Sequence, residues 1–185
     1  MNEFKHSILA LMKATIDPRK IAKVTYEPSN SLLIPYDDLV CNTELFENNS
    51  ISYIDESNRS SIVNSECNSV FETYSLLQTK TLVKITDVEN YNNNYTKFCD
   101  NLKKIFKVKK VDCHIYFGKK DSPSFEFHKD PMHVLIGCLK GKKEIKFKKR
   151  KVFLDVNDWV YIPANTNHKA YYPEDSITIS VGLYK

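Results

Sequence analysis

Residues 125–139, FEFHKDPMHVLIGCL, and residues 158–168, DWVYIPANTNH, hold the pattern that decides the fold. Short apolar runs recur from residue 110 onward, and turn residues such as Asp121-Ser122-Pro123 and Lys140-Gly141 separate them. Runs of this kind are typical of β-strands, and eight of them without a helical pattern favour a sandwich or barrel of jelly-roll type. The predicted strands are residues 111–117, 125–129, 133–139, 143–148, 151–154, 158–162, 168–172 and 176–183.

The chain before residue 110 has a different sequence pattern from the strand-rich part that follows. Residues 3–14 carry apolar side chains at helical spacing, which predicts a short amphipathic helix. Residues 30–40 read as an edge strand, because Pro35 cannot donate a hydrogen bond to a ladder. Residues 42–69 are rich in Asn and Ser, so we predict a long surface segment with little regular structure. Such a segment is either a lid or a connection without a role of its own.

A strand and a second helix are predicted just before the barrel. Residues 79–86 alternate weakly and hold three apolar side chains, which favours a strand. Asn93 or Asn94 can cap a helix whose apolar residues repeat at three and four positions up to Phe106. We expect this helix to lie against the outside of the sheet. The chain is therefore predicted to be one structural domain, with an α/β extension at 1–109 and a barrel core at 110–185.

The composition is that of an ordinary globular protein of 185 residues, with 42% hydrophobic and 27% charged residues. A formal net charge of +4 permits an anionic partner without demanding one. The five cysteines are an odd number without a C-x-x-C pair, which favours a reducing compartment, so we predict a cytoplasmic location. The N-terminal apolar run at 8–12 is too short to span a bilayer, and no membrane association is predicted.

Two histidines and one aspartate form a candidate metal-ligand set. His128 and Asp130 are two residues apart, so on a strand both side chains would leave the same face. His168 follows a later strand, which in a barrel returns to the neighbourhood of the first pair. Two imidazoles and one carboxylate are the ligands of mononuclear non-haem iron sites with open positions. Taken alone, H-x-D is a weak signal, and a surface histidine beside an aspartate is the commoner explanation.

Lys143 is predicted to point into the barrel. In the run Lys143-Glu144-Ile145-Lys146-Phe147, a period of two places Lys143 on the same face as two apolar residues. A lysine directed into a core is costly unless an anion meets it. Inside an iron site, the carboxylate of a 2-oxo acid is the natural anion. The alternative is that the side chain bends back to solvent.

Two further strands indicate a polar interior. In 111–117, Val111 and Cys113 begin an apolar face, while His114 and Tyr116 lie on the opposite face. The strand at 176–183 repeats this alternation, with Thr178, Ser180 and Gly182 on its polar face. A barrel with a polar interior holds a ligand in place of a packed core.

The segments SFEFHKDPMHVLIGCLKGKKEI (124–145), NDWVYIPANTNH (157–168) and SITISVGL (176–183) resemble the JmjC-type cupin dioxygenases. Within that group, the chain is most similar to the small hydroxylases, namely the factor-inhibiting-HIF-like proteins and the ribosomal oxygenases. The resemblance covers roughly residues 110–183. It implies a mainly β fold, the double-stranded β-helix of cupin or jelly-roll type, and an Fe(II)- and 2-oxoglutarate-dependent oxygenase.

The resemblance also implies roles for individual residues. His128, Asp130 and His168 would be the iron ligands and the catalytic centre. Lys143 would pair with the distal carboxylate of 2-oxoglutarate, with Tyr116 near that cosubstrate. Phe125 stands where the family often has a cosubstrate-binding threonine, so Ser124 is the predicted substitute; Ser180 completes the predicted cosubstrate contacts.

The expected activity is hydroxylation of a protein side chain, a peptide or a small molecule. A different class of function is a non-catalytic cupin that binds a metal or a small acid. A third is a nucleic-acid-modifying oxygenase, suggested by the basic run from Lys142 to Lys151, although that run has only Phe147 as a stacking residue. A homodimer is compatible with the sequence.

Overall fold

The computed structural model describes residues 20–25, 48, 50–55, 65–66, 69, 72, 75–76 and 78–185. The predicted helix at 3–14 and the predicted edge strand at 30–40 lie outside these residues. Among the described residues, no helix is long and apolar enough to cross a membrane.

Eleven strands of the described part form two antiparallel sheets. The larger sheet has the order β1-β9-β6-β11-β5-β4-β2-β3, and the smaller has the order β10-β7-β8. The strands are β1 (Ala22–Thr25), β2 (Ile51–Ile54), β3 (Ser65–Glu66), β4 (Leu82–Ile85), β5 (Lys110–Gly118), β6 (His133–Lys140), β7 (Lys143–Phe147), β8 (Lys151–Leu154), β9 (Asp158–Ile162), β10 (His168–Tyr171) and β11 (Ser176–Tyr184).

One helix, α1 (Asn93–Phe106), covers the outer face of the large sheet. Its N-cap is Asn92, one residue before the predicted cap, and the Asn92 side chain accepts a hydrogen bond from the Asn94 N–H. The helix ends at Lys107, which takes a left-handed conformation. Buried side chains of α1 such as Phe98 and Leu102 pack in one cluster with the apolar face of β5. The predicted strand, helix and packing face are confirmed.

Apolar side chains fill one part of the interior between the two sheets. Val134, Ile136, Val160 and Ile162 of the large sheet pack against Ile145, Phe147 and Leu154 of the small sheet. Beyond this cluster, the polar faces of β5 and β11 line an open cavity together with Lys143 of β7. The apolar packing holds the sheets at a fixed separation, and the cavity occupies the remaining space.

Two predictions about local structure were wrong. Residues 42–69 contain the buried strand β2, because Ile51 packs in the helix-side cluster while Ile54 packs against Leu82 and Tyr172 on the opposite face. Both faces of β2 are thus covered, so the run gains enough apolar burial to form a strand. Residues 125–129 form no strand; a single bridge pairs His128 with His168.

Candidate metal centre and adjoining pocket

His128, Asp130 and His168 converge at the edge of the small sheet. Their potential ligand atoms all lie within 4.8 Å of one another. The Asp130 carboxylate is 3.9 Å from His128 Nε2 and 3.5 Å from His168 Nε2. These separations leave room for one cation between the three side chains.

Backbone hydrogen bonds position the three side chains without a regular strand at 128–130. The His128 N–H donates to the His168 carbonyl and the His168 N–H donates to the His128 carbonyl, both at 3.0 Å. The Asp130 carbonyl accepts a hydrogen bond of 2.7 Å from the N–H of Asn165, which has a left-handed backbone. The three side chains therefore converge as the sequence predicts, although residues 128–130 do not form the predicted strand.

The two imidazoles are oriented for metal binding by their second nitrogens. His128 Nδ1 lies 2.8 Å from the Glu126 carbonyl, and His168 Nδ1 lies 3.0 Å from the Thr166 carbonyl. A carbonyl can only accept, so each Nδ1 carries the proton and each Nε2 presents its lone pair. Burial lowers the pKa of His168, which favours the neutral form that a metal requires.

The donor set fits a divalent transition metal. Two neutral imidazoles and a carboxylate on one side of a site are the pattern of non-haem Fe(II) oxygenases, in which the remaining coordination positions are open. Both Nδ1–H···O=C contacts are the second hydrogen bonds that fix metal-binding histidines. The residues present therefore match Fe(II).

Lys143 lies inside the barrel, as the strand parity predicted. Its side chain is 3% exposed, and Nζ donates to Tyr172 Oη at 3.2 Å and to Thr178 Oγ1 at 3.0 Å. Among the described residues, no carboxylate lies within ion-pair distance of this amine. Burial lowers the pKa of Lys143 to about 7. An anion arriving beside Nζ would stabilise the charged amine, so the environment favours anion binding.

A cavity of about 650 Å³ joins the metal-ligand trio to Lys143. This volume lies in the usual range of small-molecule sites. The predicted cosubstrate residues all line the cavity: Tyr116, Ser124, Lys143 and Ser180. Their predicted roles stay predictions, since placement alone does not test them.

Two groups that hold Lys143 were not predicted from the sequence. Tyr172 follows β10 and is buried, and Thr178 of β11 is fully buried beside it. Thr178 could have been found, because it shares the polar face of β11 with Ser180. The inward direction of Tyr172 could not be predicted, because the residues on either side of it show no alternation between polar and apolar side chains.

A second group of potential metal ligands lies deeper along β5. Ligand atoms of Asp87, Asp112 and His114 also lie within 4.8 Å of one another. The Asp87 N–H donates to His114 Nδ1 at 3.3 Å, so the His114 proton resides on Nε2, which faces Asp112 Oδ1 at 3.6 Å. Asp112 Oδ1 also accepts from the Gly182 N–H at 3.2 Å. The His114 imidazole in this arrangement presents no lone pair to a metal.

His133 takes no part in the metal-ligand trio. Its Nδ1 lies 2.7 Å from Tyr161 Oη and accepts from the Ala164 N–H at 3.2 Å. These two contacts occupy its Nδ1.

Comparison with solved structures identifies the architecture. Over 96% of its length, the chain superposes on a structure of YcfD, a ribosomal oxygenase from Escherichia coli with cobalt and succinic acid, with a TM-score of 0.71 and 15% identity. A second YcfD structure, with cobalt and 2-oxoglutarate, gives a TM-score of 0.71, 14% identity and the same coverage. The chain shares the fold of the part of this oxygenase that it matches. The predicted double-stranded β-helix is confirmed.

The likeness is one of fold, and it is partial. The chain spans about half of the oxygenase structures it matches, 51% of their length. No protein-family model matches the chain, and neither does any curated protein sequence.

Proposed function

We propose that the protein is an Fe(II)- and 2-oxoglutarate-dependent oxygenase that hydroxylates a protein side chain, a peptide or a small molecule. One observation carries this proposal. The trio His128, Asp130 and His168 and the buried amine of Lys143 open on the same cavity. A metal-binding module alone would not require a second, buried cation facing its metal.

In this proposal, the chain contributes binding and orientation. His128, Asp130 and His168 hold the iron, and the carbonyls of Glu126 and Thr166 keep both imidazoles in the metal-binding tautomer. When bound, iron and 2-oxoglutarate would supply the activation of dioxygen, with oxidative decarboxylation of the oxo acid to succinate and carbon dioxide. The protein supplies placement and exclusion of water.

Lys143 receives the distal carboxylate of 2-oxoglutarate. Tyr172 and Thr178 hold its Nζ, and the Tyr116 ring lies 5.0 Å from the same atom. Because this end of the cavity is fully buried, the ion pair would form away from water, where it is stronger than at a surface. Ser124 and Ser180 line the cavity as the further cosubstrate contacts.

The fold supports this proposal without identifying a substrate. The similar YcfD structures contain cobalt with 2-oxoglutarate or succinic acid. The basic run offers little for nucleic acid, since Lys146 and Lys151 both lie beside Glu144, at 3.5 and 3.2 Å. Cytoplasmic location stays a prediction, and the buried free thiols of Cys99, Cys113 and Cys138 are consistent with it.

The proposal is tested by anaerobic titration with Fe(II) and 2-oxoglutarate, followed by a succinate assay after oxygen is admitted. We expect one equivalent of iron, 2-oxoglutarate binding that depends on the metal, and slow succinate formation without a substrate. Metal binding without succinate would indicate the non-catalytic cupin. Absence of both binding events would overturn the proposal.

A further inference from the structure

A second lysine, Lys84 of β4, faces the same cavity. It pairs directly opposite Tyr116 of β5 in the sheet register, and it lines the cavity. Its Nζ lies 5.9 Å from the Tyr116 ring centroid and 6.0 Å from the Phe125 ring centroid. Within the described ranges, no carboxylate comes within 4.0 Å of this amine. Lys84 and Lys143 thus place two ammonium groups around one tyrosine ring.

The carboxylates of the cavity have other partners. Glu126 pairs with Lys169 at 2.8 Å. Asp112 accepts from the Gly182 N–H and lies 3.7 Å from the Lys110 amine. Asp130 belongs to the metal-ligand trio, so a bound cation would take its charge. Lys84 is left as a cation without a direct counter-ion.

The environment of Lys84 is unfavourable to its charge. Burial lowers the pKa of Lys84, and the carboxylates of Asp87, Asp112 and Asp130 oppose that effect only from beyond ion-pair distance. An anion in direct contact would remove this cost, whereas a neutral ligand would not.

A buried hydroxyl lies on the same face of the sheet as Lys84. Ser52 of β2 pairs directly opposite Lys84, so the two side chains lie on the same face of the sheet. Ser52 is 7% exposed, and its Oγ has no hydrogen-bond partner in the part of the chain that the structure describes. Buried hydroxyls are normally paired. Ser52 therefore adds an unused donor next to an unpaired cation.

We propose that Lys84 and Ser52 form a subsite for an acidic group, a carboxylate or a phosphate, of the molecule that this enzyme oxidises. The inference rests on the proposed function, in which 2-oxoglutarate extends from the metal-ligand trio to Lys143. The five-carbon oxo acid fills only part of a 650 Å³ cavity. The substrate class is thus an acidic small molecule or an acidic side chain of a peptide, held beyond Tyr116 on the β4 side.

Calorimetry on protein loaded with Zn(II) and saturating 2-oxoglutarate tests the subsite. The probes are N-acetylaspartate and N-acetyl-O-phosphoserine, with the neutral N-acetylasparagine and N-acetylserine for comparison. We expect at least one acid to bind about ten times more tightly than its neutral counterpart, as for one charge-assisted hydrogen bond. The preferred probe distinguishes carboxylate from phosphate.

Lys84→Met should abolish this preference and leave Zn(II) and 2-oxoglutarate affinity unchanged, whereas Lys84→Arg should keep the preference. The matched control Lys149→Met, which removes an exposed lysine from the β7–β8 turn, should behave as the wild type. Ser52→Ala should reduce affinity for the acid by a few-fold.

Equal binding of acids and neutral probes, or retention of the preference in Lys84→Met, would overturn the subsite. The subsite would also be overturned if Lys84→Met lost as much 2-oxoglutarate affinity as Lys143→Met, because Lys84 would then anchor the cosubstrate. The two proposals fail separately. If wild-type protein binds no 2-oxoglutarate, the proposed function fails, and the acids are titrated into metal-free Lys143→Met protein. If the acids bind that protein and no longer bind the Lys84→Met, Lys143→Met double variant, the subsite is supported. If both proteins bind the acids equally, the subsite is overturned.

Discussion

Two trios of potential metal ligands contribute side chains to the lining of one cavity, and only one trio is prepared for a metal. In the first, His128 and His168 direct Nδ1 toward backbone carbonyls. In the second, His114 directs Nδ1 toward the backbone N–H of Asp87. The ligand atoms of both trios meet the same 4.8 Å limit, so proximity does not separate them.

The difference teaches that the partner of the far nitrogen decides what an imidazole can do. A carbonyl partner forces the proton onto Nδ1 and leaves Nε2 free for a cation. An N–H partner leaves the proton on Nε2, where it interacts with a carboxylate such as Asp112. The first trio is therefore a candidate metal site, whereas the histidine of the second trio presents no lone pair to a metal.

The largest expected effect is the loss of metal affinity when a histidine of the first trio is removed, compared with a histidine of the second. His128→Ala should lower Fe(II) or Zn(II) affinity by more than about 100-fold, since loss of a ligand exceeds the loss of an outer-shell partner. His114→Ala should leave one equivalent of metal bound with near wild-type affinity. Calorimetric metal titration of both variants measures this. A second equivalent in the wild type that disappears in His114→Ala would break the comparison.

The next effect concerns the cation that faces the first trio. Lys143→Met should weaken 2-oxoglutarate binding by about 10- to 100-fold, because a charged hydrogen bond contributes about 1.5–3 kcal/mol. Metal affinity should not change. Quenching of intrinsic fluorescence by 2-oxoglutarate in the Zn(II)-loaded protein is the readout, with Lys149→Met as control. Unchanged 2-oxoglutarate affinity would show that the anion binds elsewhere.

A pH dependence follows from the same amine. Because burial lowers the pKa of Lys143 to about 7, the ligand-free protein holds a neutral amine above that pH. Binding of the 2-oxoglutarate dianion then requires proton uptake, so affinity should fall as the pH rises from 7 to 9, by up to about tenfold per unit. Calorimetry in two buffers of different ionisation enthalpy measures the uptake. A flat profile in the wild type, or the same slope in Lys143→Met, would contradict this assignment.

The smallest expected effect is on folding stability, and it tests whether the second trio has a structural role. Asp112→Asn should lower the free energy of unfolding by about 1 kcal/mol, because the charge that faces Lys110 and His114 is lost while an acceptor for the Gly182 N–H remains. Metal stoichiometry should stay at one. Urea unfolding and metal titration check both parts, and loss of a bound metal would reverse the assignment.

Much of the barrel could be predicted because strand parity is local information. The alternation in 111–117 placed Tyr116 inside, and the alternation in 143–148 did the same for Lys143. The position of His168 after an apolar strand also brought it near His128. Each of these inferences needs only the residues of one segment and the period of a strand.

The rest depends on which strands are neighbours, and a single segment does not contain that information. Lys84 reaches the cavity because β4 pairs with β5, and Ser52 stands beside it because β2 pairs with β4. The strand β2 itself was missed, since its burial comes from α1 on one side and Tyr172 on the other. The orientation of His114 likewise depends on a backbone N–H at Asp87, remote in sequence.

The single bridge between His128 and His168 has a mechanical consequence. Within the described part of the chain, β10 pairs only with β7 apart from this bridge. Two backbone hydrogen bonds join the other edge of β10 to the segment before β6. A metal ion bound by both His128 and His168 would crosslink the two segments that this bridge joins. Without the metal ion, the bridge between His128 and His168 should be among the first parts of the barrel to open. Backbone amides near residues 128 and 168 should then exchange hydrogen sooner than those in β5 or β11. Metal binding would therefore set the rigidity of the cavity mouth as well as its chemistry.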